Sequence, residues 1–178
     1  MINYVSAEEA VSLVKSGDRI FGHGSACTPN LFYDELAKQS SRLKDVELVS
    51  ITQQGNVEIA KPEYKDSFFV KSLFTSTPVR EAVNSERGDF VPIFLSEIPF
   101  LFKNGILPLD VAMVTVSPPD SHGYCSLGTS VDVARGAVDT AKKIIAIVNP
   151  KMPRTHGDGM IHYSRIHKMV WNDEELMT

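Results

Sequence analysis

Apolar residues in this chain fall into short blocks, and their spacing switches between helical and extended along its length. Ala10, Leu13 and Val14 recur at helical intervals behind Ser6-Ala7-Glu8-Glu9. That tetrad is a capping box, in which serine and glutamate satisfy orphan backbone N–H groups. Gly17 supplies the stop. Arg19-Ile20-Phe21 reads as a short strand running into Gly22-His23-Gly24, and Thr28-Pro29 opens a second helix with Leu31, Phe32, Leu36 and Leu43 on its buried face. Strands are expected over 46–51, 67–74, 90–94, 109–117, 143–148 and 168–171. Helices are expected over 77–85, from Ser96 to near Gly105, and over 130–141, where Val131, Ala134, Val138 and Ala141 share a face.

Strands alternating with helices, and continuous apolar runs in place of period-two patterns, predict an α/β domain with a mostly parallel sheet. No repeat, low-complexity tract or linker interrupts residues 1–178, so one domain is expected. Ligands on such sheets bind beyond the carboxyl ends of the strands. Four of those ends are polar or glycine-rich: Gly22-His23-Gly24-Ser25, Gln53-Gln54-Gly55-Asn56, Thr75-Ser76 and Ser117-Pro118-Pro119-Asp120.

Composition narrows the class. With 43% hydrophobic and 22% charged residues the chain is neither disordered nor fibrous, and a net charge of −4 argues against nucleic-acid binding, which needs a basic face. The longest apolar runs are too short to cross a bilayer, and the first residues lack a basic segment followed by an apolar one. A cytoplasmic protein with no membrane or nucleic-acid partner is the expectation. Cys27 and Cys125 lack metal-type spacing and are expected to be reduced.

Familiar chemical motifs fail in turn. Gly22-x-Gly24 invites a dinucleotide fingerprint, but Cys27 stands where the third glycine belongs and the second strand has no acidic residue at its tip. Neither a phosphate-binding P-loop nor a G-x-S-x-G elbow is present. Cys125, three residues after His122, could be a thiol with its base, although a small buried filler is the better reading. His156, His162 and His167 fit no compact ligand spacing, and no metal site is expected. The acidic run at 173–175 reads as a solvated segment. The 117–128 stretch stands out: two prolines stiffen the backbone after a strand, and Asp120 and Gly123 bracket a tight turn.

That stretch, extended to SPPDSHGYCSLGTSVD over 117–132, resembles a signature of the acetyl-CoA hydrolase/transferase family, within which the 4-hydroxybutyrate and butyrate CoA-transferases look similar. GHGSACTPNLFYDEL from Gly22, FVPIFLSEIP from Phe90 and THGDGMIHYSRI from Thr155 agree with it. The resemblance implies a three-layer α/β/α fold of the CoA-transferase, ribose-phosphate-isomerase-like type, forming the amino-terminal domain of a two-domain enzyme. It also implies ping-pong transfer of CoA through a glutamyl-CoA thioester. The glutamate and a glycine-rich CoA segment belong to a second, carboxyl-terminal domain, so no catalytic residue is expected in these 178 residues. The implied partners are that domain, an acyl-CoA, a short-chain carboxylate and further copies of the chain. No cofactor beyond the coenzyme A thioester substrate is implied. Gln54, Gly55, Asn56, Thr75 and Ser76 are the implied carboxylate contacts, with His23, Ser117, Pro118, His122 and Tyr124 near the cleft. Acetyl-CoA hydrolysis, or a non-catalytic ligand-binding module on the same scaffold, are the alternatives. A sugar-phosphate module would want Lys or Arg beside a glycine-rich helix start, and the 22–29 turn has neither.

Overall fold

The computed structural model describes residues 2–177. Helix α1 (Ala7–Val11) leads into β1 (Arg19–Gly22), α2 (Asn30–Lys38), β2 (Val46–Ser50), β3 (Phe68–Ser72), α3 (Thr77–Val83), β4 (Gly88–Phe90) and α4 (Ile98–Lys103). The chain continues through β5 (Val111–Val116), β6 (Tyr124–Ser126), α5 (Asp132–Thr140), β7 (Lys143–Val148), β8 (Met160–His162) and β9 (Lys168–Trp171). Seven strands form one parallel sheet in the order β4-β3-β2-β1-β5-β7-β9, while β6 and β8 pair antiparallel as a separate ribbon.

Alternate residues of each central strand face opposite layers, which is why the strands read as unbroken apolar runs. Ile20, Leu48 and Val70 pack with α1, α2 and α3 on one side, through Ala10, Phe32, Leu36 and Val79. Phe21, Val49, Ala112 and Val114 pack with α4 and α5 on the other, through Phe102, Val133, Ala137 and Val138. The sheet is therefore covered on both faces, the three-layer α/β/α arrangement.

Several boundaries moved for physical reasons. Ser6 caps α1 by accepting from the Glu9 N–H (3.0 Å), but the Glu9 carboxylate pairs with Lys168 of β9 instead of closing the box, and the helix is short. The strand expected over 90–94 lies at Gly88–Phe90. A Cβ at Gly88 would sit 2.5 Å from the Val70 carbonyl oxygen, so glycine lets β4 pair there, and Pro92 has no N–H to continue the ladder. The β6/β8 ribbon was unforeseen because three residues are too few to show a period.

Glu47 bridges three strands, pairing with Arg19 of β1 and Lys71 of β3. Burial pushes its carboxyl up, but hydrogen bonds from Lys71 (2.7 Å) and Arg19 outweigh this and hold it below the ordinary range. A carboxyl depressed in the folded state stabilises above its unfolded pKa, near ~4.3, and loses that contribution as pH falls toward the folded value. Glu47→Gln should thus cost about 1 kcal/mol at neutral pH and almost nothing near pH ~3. Thermal melts of both proteins across this range check it, and a pH-independent difference would refute it.

Candidate functional site

The carboxyl ends of β1, β2 and β3 are tied into one polar platform. The Ser25 N–H donates to the Thr52 carbonyl (2.7 Å), joining the first two tips. A Cβ at Gly24 would come within 2.7 Å of Ile51, so only glycine permits this approach. Ser76 Oγ accepts from the Gln53 N–H (2.8 Å), joining the second tip to the third. Thr75 Oγ1 donates to Ser72 Oγ (3.1 Å).

Gln53 is the hub, and it is 1% exposed. Its Oε1 accepts from the Tyr33 hydroxyl at 2.6 Å, while its Nε2 donates to the carbonyls of His23 (3.0 Å) and Gly22 (3.3 Å). The sequence reading stopped one residue short, at Gln54. Nothing local marks Gln53 as buried, because its partner Tyr33 comes from a helix twenty residues earlier.

Gln54 is oriented by its backbone: its N–H donates to Thr28 Oγ1 (3.0 Å) and its carbonyl accepts from Asn30 Nδ2 (3.0 Å). Its side-chain Oε1 is buried and has no hydrogen-bond partner among the described residues. Gly55 adopts φ +79° against the Asn30 amide, where a Cβ would come within 2.2 Å of Nδ2. Asn56 turns away, donating to Glu58 and lining a cleft with Asp34, Lys38 and Tyr64 on the α2 side.

His23 lies beneath the platform, fully buried. Its Nδ1 accepts the Thr115 N–H (3.2 Å), and its Nε2 lies 2.6 Å from the Ser130 carbonyl. A backbone N–H can only donate and a carbonyl can only accept, so the ring is the neutral Nε2–H tautomer. Drawing a proton from the adjacent Cys27 would place it on Nδ1, where the Thr115 N–H already points. The pair therefore stays neutral, with the thiol donating to the Leu127 carbonyl (3.7 Å). His23 links β1 to β5 and to the start of α5.

The 117–124 loop is satisfied internally. Ser117 Oγ accepts from the Ser126 N–H (2.9 Å) and donates to the Pro118 carbonyl (3.2 Å). The Asp120 carboxylate accepts the N–H groups of Tyr124 and His122, both at 2.9 Å, and pairs with Arg154. Those donors hold its carboxyl below the ordinary range. Tyr124 packs its ring against His162 (5.1 Å between centroids), and the His122 side chain is exposed. Cys125 is buried, and burial pushes its thiol up to about 11, which suits a packed filler and not a nucleophile. His162 bonds Ser164 and His167 accepts from the Ile144 N–H, so both have hydrogen-bonding roles. Both cysteines are free. Among the described residues no group of three His, Cys, Asp or Glu is arranged to hold a metal ion, and no helix is long and apolar enough to cross a membrane.

The site thus consists of strand tips bearing amides and hydroxyls, on a three-layer sheet, beside a rigid 117–132 segment. The profile of the acetyl-CoA hydrolase/transferase N-terminal domain matches residues 3–178. The chain belongs to this family. Among curated relatives of this domain, it is 43% identical over 166 residues to a succinyl-CoA:acetate/propanoyl-CoA:succinate CoA transferase of Fasciola hepatica, covering 92% of the chain and 34% of the relative. It is 40% identical over 173 residues to the 4-hydroxybutyrate coenzyme A transferase of Clostridium kluyveri, covering 97% and 40%. Solved structures agree in fold: RipA from Yersinia pestis superposes with a TM-score of 0.87 at 27% identity, covering 98% of this chain and 43% of that one. A 4-hydroxybutyrate CoA-transferase from Porphyromonas gingivalis gives 0.78 at 28%, covering 97% and 40%. The chain therefore spans well under half the length of these relatives.

Proposed function

We propose that this domain is the acid-binding half of a CoA-transferase that moves CoA between an acyl-CoA and a short-chain carboxylic acid such as acetate, butyrate or 4-hydroxybutyrate. The observation that carries the reading is the platform itself. Three strand tips are tied together by Gln53, with the unpartnered Gln54 amide and the Thr75 and Ser76 hydroxyls at its edge. Amide and hydroxyl donors bind a carboxylate through fixed dipoles without bringing a counter-charge that would quench it.

In this reading the chemistry is completed on a second domain. A glutamate carboxylate there attacks the thioester carbonyl and expels CoA thiolate, leaving a mixed anhydride. The thiolate then attacks the glutamyl carbonyl, releasing the first acid and leaving glutamyl-CoA. An incoming acid reverses both steps and departs as the new thioester. The role of these 178 residues is to bind and align the acid so that its oxygen meets the reacting carbonyl. His23 and Ser117 support the platform from beneath, while Gln54, Thr75 and Ser76 touch the ligand.

The test is exchange of CoA between butyryl-CoA and acetate by an enzyme of full family length carrying this chain as its first domain. Ser76→Ala is expected to raise the acid's KM about fivefold, the size of one lost hydrogen bond, with the KM for the CoA donor unchanged. Equal effects on both constants, or none, would overturn the assignment. Release of free CoA without a new thioester would identify hydrolysis instead.

A further inference from the structure

Beside the platform, the ends of β3 and β4 carry a cleft that the reading above does not use. Phe74 follows β3 and Phe90 closes β4, and their rings are 62% and 53% exposed. They flank an open cleft of about 500 Å³ whose wall is completed by Thr75, Arg80, Val83 and Asn84. This volume lies within the roughly 300–1,000 Å³ of small-molecule sites. Arg80 is the one charged residue of the lining, and its guanidinium has no ion-pair or hydrogen-bond partner among the described residues. The nearest acidic neighbour in sequence, Glu81, is taken by Arg87 at 3.1 Å.

The lining specifies its ligand by elimination. A neutral apolar molecule would bury the guanidinium without a partner, which costs more than the apolar contact returns. A polyphosphate would require several cations where the wall offers one. A small hydrophilic acid would leave both phenyl rings in water, forfeiting about 25 cal/mol for each Å² of apolar surface that could be covered. What remains is a monoanion with an apolar body. Its carboxylate would be held by the planar fork of Arg80, with Asn84 as a further donor, and its body would lie between Phe74 and Phe90.

We propose that this cleft is a binding site for carboxylic acids that carry an apolar body, distinct from the platform formed by Gln54 and Ser76. Thr75 belongs to its wall, so the hydroxyls of adjacent residues serve different sites: Ser76 turns to Gln53 and Thr75 lines the cleft. The site stands on its own lining and does not depend on the CoA-transferase reading.

The experiment titrates the isotopically labelled chain with 3-phenylpropanoate, with acetate and with 3-phenylpropan-1-ol, following amide and side-chain resonances. 3-Phenylpropanoate is expected to saturate shifts at Thr75, Arg80, Asn84 and Phe90 and to bind about tenfold tighter than either control, as one charge-assisted contact implies. Arg80→Gln should reduce the acid to the level of the alcohol, and Phe90→Ala should weaken acid and alcohol alike. Both substitutions change exposed side chains, and an otherwise unchanged spectrum reports the intact fold. Equal binding of acid and alcohol, saturable shifts elsewhere only, or no saturable shift would overturn the proposal. So would line broadening at these residues that grows with protein concentration, which would make the face a contact between chains.

Discussion

Gly22→Ala is expected to destabilise the domain by about 3 kcal/mol, lowering its melting temperature by about 8 °C. The position looks harmless in sequence, since Gly22 ends a strand with ordinary backbone angles and the first turn of the loop follows it. In the fold, a Cβ there would sit 1.9 Å from the Tyr33 hydroxyl and 3.1 Å from its Cζ, with Leu48 Cδ1 at 3.2 Å. Tyr33 is fully buried and cannot swing into solvent. Its hydroxyl would have to retreat from Gln53, breaking the 2.6 Å bond and leaving a buried amide oxygen without a donor. The cost thus combines overpacking with an orphaned polar group. A double-mutant cycle separates them: in a Tyr33→Phe background the 1.9 Å clash has no atom to clash with, so the same glycine substitution should cost about 1 kcal/mol. Additive effects of the two substitutions would refute this account.

That cycle also shows which parts of the fold were legible. The layer order was readable because the buried strands 46–50, 111–116 and 143–148 are apolar on both faces, which only a doubly covered parallel sheet requires. The polar strand ends were readable for the same reason, since Gln53-Gln54-Gly55-Asn56 and Thr75-Ser76 interrupt otherwise apolar runs. What each polar residue does was not readable. Gln53 and Gln54 are identical in type and adjacent, yet one is a saturated structural hub and the other has an unpartnered amide oxygen. Asn56 belongs to the same tetrad and faces Glu58 on another side of the molecule. These differences follow from which way the chain turns after β2, and that turn is fixed by Thr28 and Asn30, more than twenty residues away. The cleft at Phe74 and Phe90 escaped notice because a phenylalanine at a strand end reads as core until the neighbouring strand is placed.

Gln53→Met tests the hub directly and is expected to cost about 4 kcal/mol, with a fall of about 10 °C in melting temperature. Methionine matches the glutamine side chain in length and volume, so little packing is lost. What is lost is every polar contact of the amide: the Tyr33 hydroxyl loses its acceptor, and the carbonyls of Gly22 and His23 lose a shared donor. Burial denies all three groups replacement by water, which makes the penalty larger than the net value of the bonds formed. Gln53→Glu distinguishes this account from a simple packing defect. The introduced carboxyl could accept from Tyr33 but, once ionised, would face two carbonyl oxygens with nothing to donate. Its folded-state pKa would rise above the unfolded value near ~4.3, so the variant should approach wild-type stability in mild acid and lose it as pH rises through the folded value. The direction is opposite to that expected for Glu47, and melts of both variants over one pH series would read the two trends side by side. A Gln53→Glu protein whose deficit relative to wild type does not change with pH would show that the amide's donors do not hold the strand tips together.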